Sequence, residues 1–359
     1  MSKRLVIFIF FVSYAIWEVA QASLLFNPRY DLVTNDNIHM NRLILSSQLD
    51  FQIKSFRFYS DFFAEQNFND PEFYEWRTVR SKGYLQELYV EYSTASLFLK
   101  VGRQANRWSD SWIIPSLDVW TARKYERLFI DPLSFQLTHS TGASLSISKE
   151  RWQLDLVAVI EAAEDSFPAI LPQSQSEKED INPGVRFKFD VKGLQNSFVA
   201  ARSLKKNIVG YGLNYAFENW VPKIEMGYRE NEQKSSLIYR KESSFASIGT
   251  DIFVGQLTMT PQFVLFTEDN NPEDITQGMH YFSLLYNAGK NEIQLQEFGN
   301  TYYKDYFYSA QYTRTIKKKF SIGILYQNYN GGLGTLNWLV QDRVKGDLYG
   351  VRFQFFSDI

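Results

Sequence analysis

Three histidines, His39, His139 and His280, are the only imidazoles available for acid–base chemistry, and the chain has no cysteine. Disulfides, thiol nucleophiles and cysteine-ligated metal or iron–sulfur centres are therefore excluded. One stretch sets a histidine beside a hydroxyl: Leu137-Thr138-His139-Ser140-Thr141-Gly142, with Ser144 close behind. Activation of a serine needs the imidazole within hydrogen-bond reach. Adjacent residues on a strand point to opposite faces, so His139 should not reach Ser140, and it has the opposite parity to Ser144. No phosphate-binding glycine loop, metal-ligand histidine spacing or nucleophile elbow is present. The expectation is a protein that is not an enzyme and carries no cofactor or metal.

Ionisable side chains instead recur with period two. In Val185-Arg186-Phe187-Lys188-Phe189-Asp190-Val191-Lys192 the odd positions are apolar and the even ones charged. One face of such a strand suits an apolar solvent and the other suits water. Gathering the polar phase of similar stretches gives Arg42, Arg57, Asp61, Glu87, Glu91, Lys100, Asp155, Arg186, Lys188, Lys223, Glu225 and Arg352 on one surface. Both signs occur in similar number, and burying them dry would require each to be paired, so the surface should be wet. A second collection lies between residues 107 and 133. Asp110, Asp118, Arg123, Lys124 and Arg127 stand there among Trp112, Trp120, Tyr125 and Phe129, close behind Arg103.

These residues must be positioned by strands, because no helical period appears after about residue 27. Eighteen alternating stretches can be drawn, with sixteen as the alternative count; they include 25–33, 39–50, 54–65, 84–93, 96–106, 134–148 and 347–356. Tight connections near Phe51, Ser93 to Ser96, Glu150, Lys192 to Asn196, Asn219, Gly255, Ala288 to Lys290 and Lys317 alternate with long polar ones at 66–83, 107–133, 163–182, 231–243, 268–277 and 330–346. Short turns on one rim, long loops on the other and an even strand count predict an all-β fold, a transmembrane up-and-down antiparallel barrel. Closure also removes the edges that an open meander of this length would expose. Aromatics such as Tyr84, Trp108, Trp152, Trp220, Tyr306 and Trp338 fall near strand ends, as in interfacial girdles.

The N-terminus supplies the compartment. Lys3 and Arg4 precede an apolar run over 5–17 and a small-x-small site, Ala20-Gln21-Ala22. This reads as a secretory signal peptide over 1–22, cleaved before Ser23, with residues 23–359 forming the barrel. Formal charge is −2 for the chain, 38 basic against 40 acidic residues. That balance gives no reason to expect a nucleic-acid partner. With 45% hydrophobic and 17% aromatic residues, the chain must bury or immerse much apolar surface. Outer-membrane lipid and small solutes are the expected partners, and the oligomeric state is open.

The stretch Gly83-Tyr84-Leu85-Gln86-Glu87-Leu88-Tyr89-Val90-Glu91-Tyr92, followed by Leu97 to Val101 and Gly102-Arg103-Gln104-Ala105-Asn106-Arg107-Trp108-Ser109-Asp110, resembles Gram-negative porin-like barrels. In uncharacterised families of that kind an ELY-x-(D/E)-Y strand, a short turn and an L-x-x-G-R-Q strand lead into a long loop; alginate-export and other substrate-specific porins are broadly similar. The match covers about 50 residues. It departs at Ser109, where glycine is usual, and after Asp118-Val119, where Trp120-Thr121 replaces Asn-Pro. The resemblance implies an outer-membrane channel for passive diffusion. On this reading Gly102 lets a bulky lumen group approach the wall, Arg103 ties a loop carboxylate and Trp108 anchors the rim. Loop 107–133 either folds into the lumen or caps the outside; a long connection this rich in aromatics favours the inward fold, with Arg123, Lys124 and Arg127 facing Asp110 and Asp118 across a constriction. The alternative is a plugged barrel serving as a structural or surface-interaction scaffold. Ser357-Asp358-Ile359 would overhang the final aromatic strand end.

Overall fold

The computed structural model describes residues 21–34, 39–69, 81–110, 117–118, 120, 122–123, 137–161, 181–203, 206–231, 242–268, 276–300, 305–316, 320–330, 347–355 and 357–358. The chain starts with β1 (Gln21–Thr34), β2 (His39–Ile53), β3 (Phe56–Asn69), β4 (Ser81–Ser93) and β5 (Leu97–Gln104). Two short segments, β6 (Ala122–Arg123) and β7 (Leu137–Thr138), pair with each other apart from the main sheet. The series resumes with β8 (Ser140–Lys149), β9 (Trp152–Glu161), β10 (Asn182–Val191), β11 (Leu194–Ser203), β12 (Lys206–Tyr215) and β13 (Trp220–Asn231). It ends with β14 (Glu242–Val254), β15 (Leu257–Glu268), β16 (Thr276–Ala288), β17 (Asn291–Asn300), β18 (Asp305–Ile316), β19 (Phe320–Asn330), β20 (Leu348–Phe355) and β21 (Ser357–Asp358).

Every barrel strand pairs antiparallel with its neighbour in sequence, β5 passing to β8. β1 pairs with β2 on one side and with β20 and β21 on the other, so the sheet closes. Taking β20 and β21 as one interrupted strand, the barrel has eighteen strands. Closure satisfies the ladder groups that an edge would expose. Two-residue turns at Lys54-Ser55, Glu150-Arg151 and Lys192-Gly193 form the short rim. Lys54, Glu150 and Lys192 have φ of 50°, 31° and 55°, the left-handed backbone that tight hairpins demand.

The alternating phases separate by environment. Phe198, Val209, Ile248 and Ile324 are more than half exposed, whereas Arg42 and Gln327 are fully covered on the other phase. A single-layer barrel can cover a side chain only from inside, so the buried polar phase faces inward and the apolar phase outward.

Several boundaries differ from expectation. β2 runs to Ile53, so the tight turn is at Lys54-Ser55 and not near Phe51; β1 begins at Gln21, four residues early. The stretch read as one strand over 134–148 is divided at His139, because Leu137 and Thr138 pair within the loop while Ser140 begins the barrel strand. Ser357 and Asp358 do not overhang: they pair with Phe26 and Leu25 across the closing seam.

Candidate functional site

Loop side chains meet the inner wall where that wall lacks side chains of its own. Trp108 and Trp120 are buried and pack edge to face, ring centroids 4.6 Å apart. A Cβ built on Gly184 of β10 would lie 2.1 Å from the Trp120 ring, and one on Gly210 of β12 would lie 2.3 Å from Leu117. These two glycines form a socket whose depth is one side chain. The Trp120 indole Nε1 donates to the Arg202 carbonyl at 3.0 Å, and the Arg186 guanidinium stands 5.4 Å from the Trp108 ring. Trp108 is therefore an interior anchor, not the rim residue expected of it. Around the socket Val157, Val159, Val199, Ile208 and Phe245 complete an apolar cluster.

Beside it lies a polar clasp. The Glu225 carboxylate on β13 accepts from the Ser109 hydroxyl at 2.7 and 2.9 Å and from the Asp110 amide at 2.6 Å. Asn214 donates to the Asp110 carboxylate at 2.6 Å, and Lys223 donates to the Asp110 carbonyl at 3.2 Å. Asp118 turns back on its own loop, accepting from the amides of Trp108 and Ser109 with Arg107 3.9 Å away. Both carboxylates expected opposite a cationic edge are thus engaged in holding the loop's shape. Lys124 and Arg127 lie outside the described residues. For Arg123 the description reaches only the backbone, paired with Leu137.

Arg103 corrects its expectation. Gly102 occupies the inward position next to Gln104, so Arg103 falls on the outward phase and its Nε donates to the Leu85 carbonyl at 2.9 Å. Gly102 itself, at φ +134°, is demanded by the neighbouring strand: a Cβ there would lie 2.2 Å from the Leu88 carbonyl oxygen. A close lumen group is not what requires it.

The expected lining residues share the inward phase, and most meet an opposite charge or an aromatic face. Arg57 binds Asp50 with two hydrogen bonds of 2.9 and 2.6 Å and lies 3.8 Å from Glu91. Asp61 accepts from Gln48 and stands opposite Glu87, which accepts from the Ala105 amide. Lys100 sits 3.9 Å over the Tyr89 ring. Asp155 pairs with Arg186 at 2.8 Å and Lys223 with Asp251 at 2.6 Å, while Lys188 stands opposite Gln153. Toward the long-loop rim, Asp31 receives Arg29, Arg42 and Arg352 together, and Arg42 also meets Glu65. His139 and Ser140 are both buried; because His139 sits at the strand break, alternation is not what separates them. His139 Nε2 lies 4.0 Å from Glu87, and the Ser140 hydroxyl accepts from Asn106 at 3.5 Å. Among the described residues no group of three or more His, Asp and Glu is placed to hold a metal.

No family model matches the chain and no curated protein matches it. Solved structures do. OccK11 (OpdR) of Pseudomonas aeruginosa superposes with a TM-score of 0.63 at 9% identity, over 95% of this chain and 97% of that one. A BenF-like porin from Pseudomonas fluorescens Pf-5 gives 0.62 at 11% identity, over 95% and 99%. The chain has a porin fold. OccAB4 of Acinetobacter baumannii is similar as well, with a TM-score of 0.61 at 9% identity over 94% and 98%. Within this porin fold, sequence reasoning missed Asp31, Leu117, Gly184, Gly210 and Asn214. The two glycines carried a legible signal, since a glycine inside a strand marks a close approach. Asp31 did not, because the cluster around it is completed across the closing seam by Arg352, from the far end of the chain.

Proposed function

We propose that the protein is an outer-membrane porin-like channel for passive diffusion of small solutes, narrowed by loop 107–133. The observation that carries this reading is the seating of Trp108, Leu117 and Trp120 against the inner wall of a closed eighteen-strand barrel. A barrel of this strand number leaves an aqueous bore, and a loop fixed across part of it restricts what passes. Half-buried Asp50, Arg57, Asp61 and Lys100 toward the short-turn rim fit a water-filled vestibule. The BenF-like porin among the similar structures supports the same reading. The signal peptide over 1–22 would deliver the chain across the inner membrane, its apolar outward band would meet lipid, and no chemistry is catalysed.

One observation favours the plugged-scaffold alternative. Inward side chains toward the long-loop rim, including Ile44, Phe63, Val159, Val264 and Phe307, are almost completely covered around the barrel. The two readings separate in a planar bilayer. The refolded mature protein, checked for a heat-modifiable band on a gel, should give discrete current steps in potassium chloride. A correctly folded barrel that inserts without any steps supports the plugged scaffold instead.

A further inference from the structure

We propose that the solutes are small neutral polyhydroxy compounds, sugars or polyols, guided along the inner face of β15 to β19; this rests on the channel reading above. The register places two rows of uncharged hydrogen-bonding groups there. Ser283, Gln296, Ser309 and Gln327 stand opposite one another in sequence across four strands, and Gln294 stands opposite Gln311 in the next row. A primary amide offers donors and an acceptor on one flat group, as does a hydroxyl on one atom, so the half-buried members of these rows can exchange bonds with a polyol, while Ser309 and Gln327 are covered. Gln294, Gln296 and Gln311 are only half-buried, so a solute can reach them. Gln296 donates to the Tyr281 hydroxyl at 3.1 Å and Gln311 to Thr313 at 3.0 Å, which fixes both amides; their carbonyl oxygens meet no donor among the described residues. Half-buried Phe298, on the same face next to Gln296, offers a ring for the C–H face of a sugar.

The rest of the inner wall makes a charged solute the poorer fit. Arg57, Arg186, Lys223 and Arg352 are each held by a wall carboxylate at 2.6–2.8 Å. At these four positions a solute ion would have to displace a counterion already in place, losing water without gaining an equivalent partner. Along β15 to β19 charged residues fall at inward register positions only at the strand ends, Glu292 next to a tight turn and Glu268 and Asp305 at the opposite ends of their strands.

Liposome swelling with glucose and with potassium gluconate, valinomycin carrying the potassium, compares the same hydroxyl pattern with and without a carboxylate. Glucose should enter about threefold faster or more, and the double variant Gln294→Leu, Gln311→Leu should slow glucose by about two- to tenfold, the range expected for lost hydrogen bonds. Its single-channel conductance in potassium chloride should stay near that of the native protein. Gluconate entering as fast as glucose, or a glucose rate indifferent to the double variant, overturns the proposal while conductance steps keep the channel reading intact. Absence of steps in the native barrel overturns both. If the leucine pair does not insert, Gln294→Glu with Gln311→Glu keeps the side-chain shape, and the glucose-to-gluconate ratio should rise; an unchanged or falling ratio overturns the proposal equally.

Discussion

Asp31 is one carboxylate with three guanidinium partners drawn from three adjacent strands: Arg29 on β1, Arg42 on β2 and Arg352 on β20. It thereby joins the first and last strands of the barrel across 321 residues of sequence. Removing the shared acceptor leaves buried cations without it, an imbalance that costs about 3–5 kcal/mol in buried pairs. Asp31→Ala should therefore lower the urea midpoint of the refolded barrel markedly, and a midpoint equal to the native one would deny Asp31 this role. Glu225 works at the same scale on the loop. Glu225→Leu strips the acceptor from the Ser109 hydroxyl and the Asp110 amide, at about 1–3 kcal/mol for each buried donor left unmet. The expected reading is noisier open-channel current with unequal step sizes, and Glu225→Gln, which retains an acceptor oxygen, should restore much of the quiet state. Equal noise in all three proteins would show that this clasp does not hold the loop.

Elements were legible in the sequence where period two was long and both phases were distinct, as in Val185 to Lys192, which lies almost wholly in β10. The alternation of turn lengths carried the strand order, since it depends only on counting connections. Phase was harder than existence. Arg103 is expected to tie a loop carboxylate, yet the close backbone approach at Gly102 and the inward turn of Gln104 leave it facing out. His139 misled for a related reason: one residue of irregular backbone separates two segments that belong to different sheets. The socket was half visible, as in-strand glycines, but its occupant arrives from a loop whose path no local pattern encodes. At this scale the clearest prediction concerns Gly184. Gly184→Ala places a carbon where the Trp120 ring lies, so the indole must move, at about 1–3 kcal/mol for overpacking. Tryptophan emission should shift to the red and loop proteolysis should quicken. Unchanged emission and unchanged cleavage would show that the socket tolerates the added carbon.

Among the described side chains, those toward the long loops are the more covered and those toward the tight turns the more open, and Trp108 to Asp110, Leu117 and Trp120 are seated against β10 to β13. Transport through such a body depends on whether that seat leaves a bore. The direct measurement is single-channel conductance in planar bilayers, comparing the refolded mature chain with a variant lacking residues 112–129, both first shown to be heat-modifiable barrels. Steps are expected in the native protein, and larger steps after the deletion. Steps of the same size in both proteins would contradict the constriction, and silence in both would contradict the channel itself.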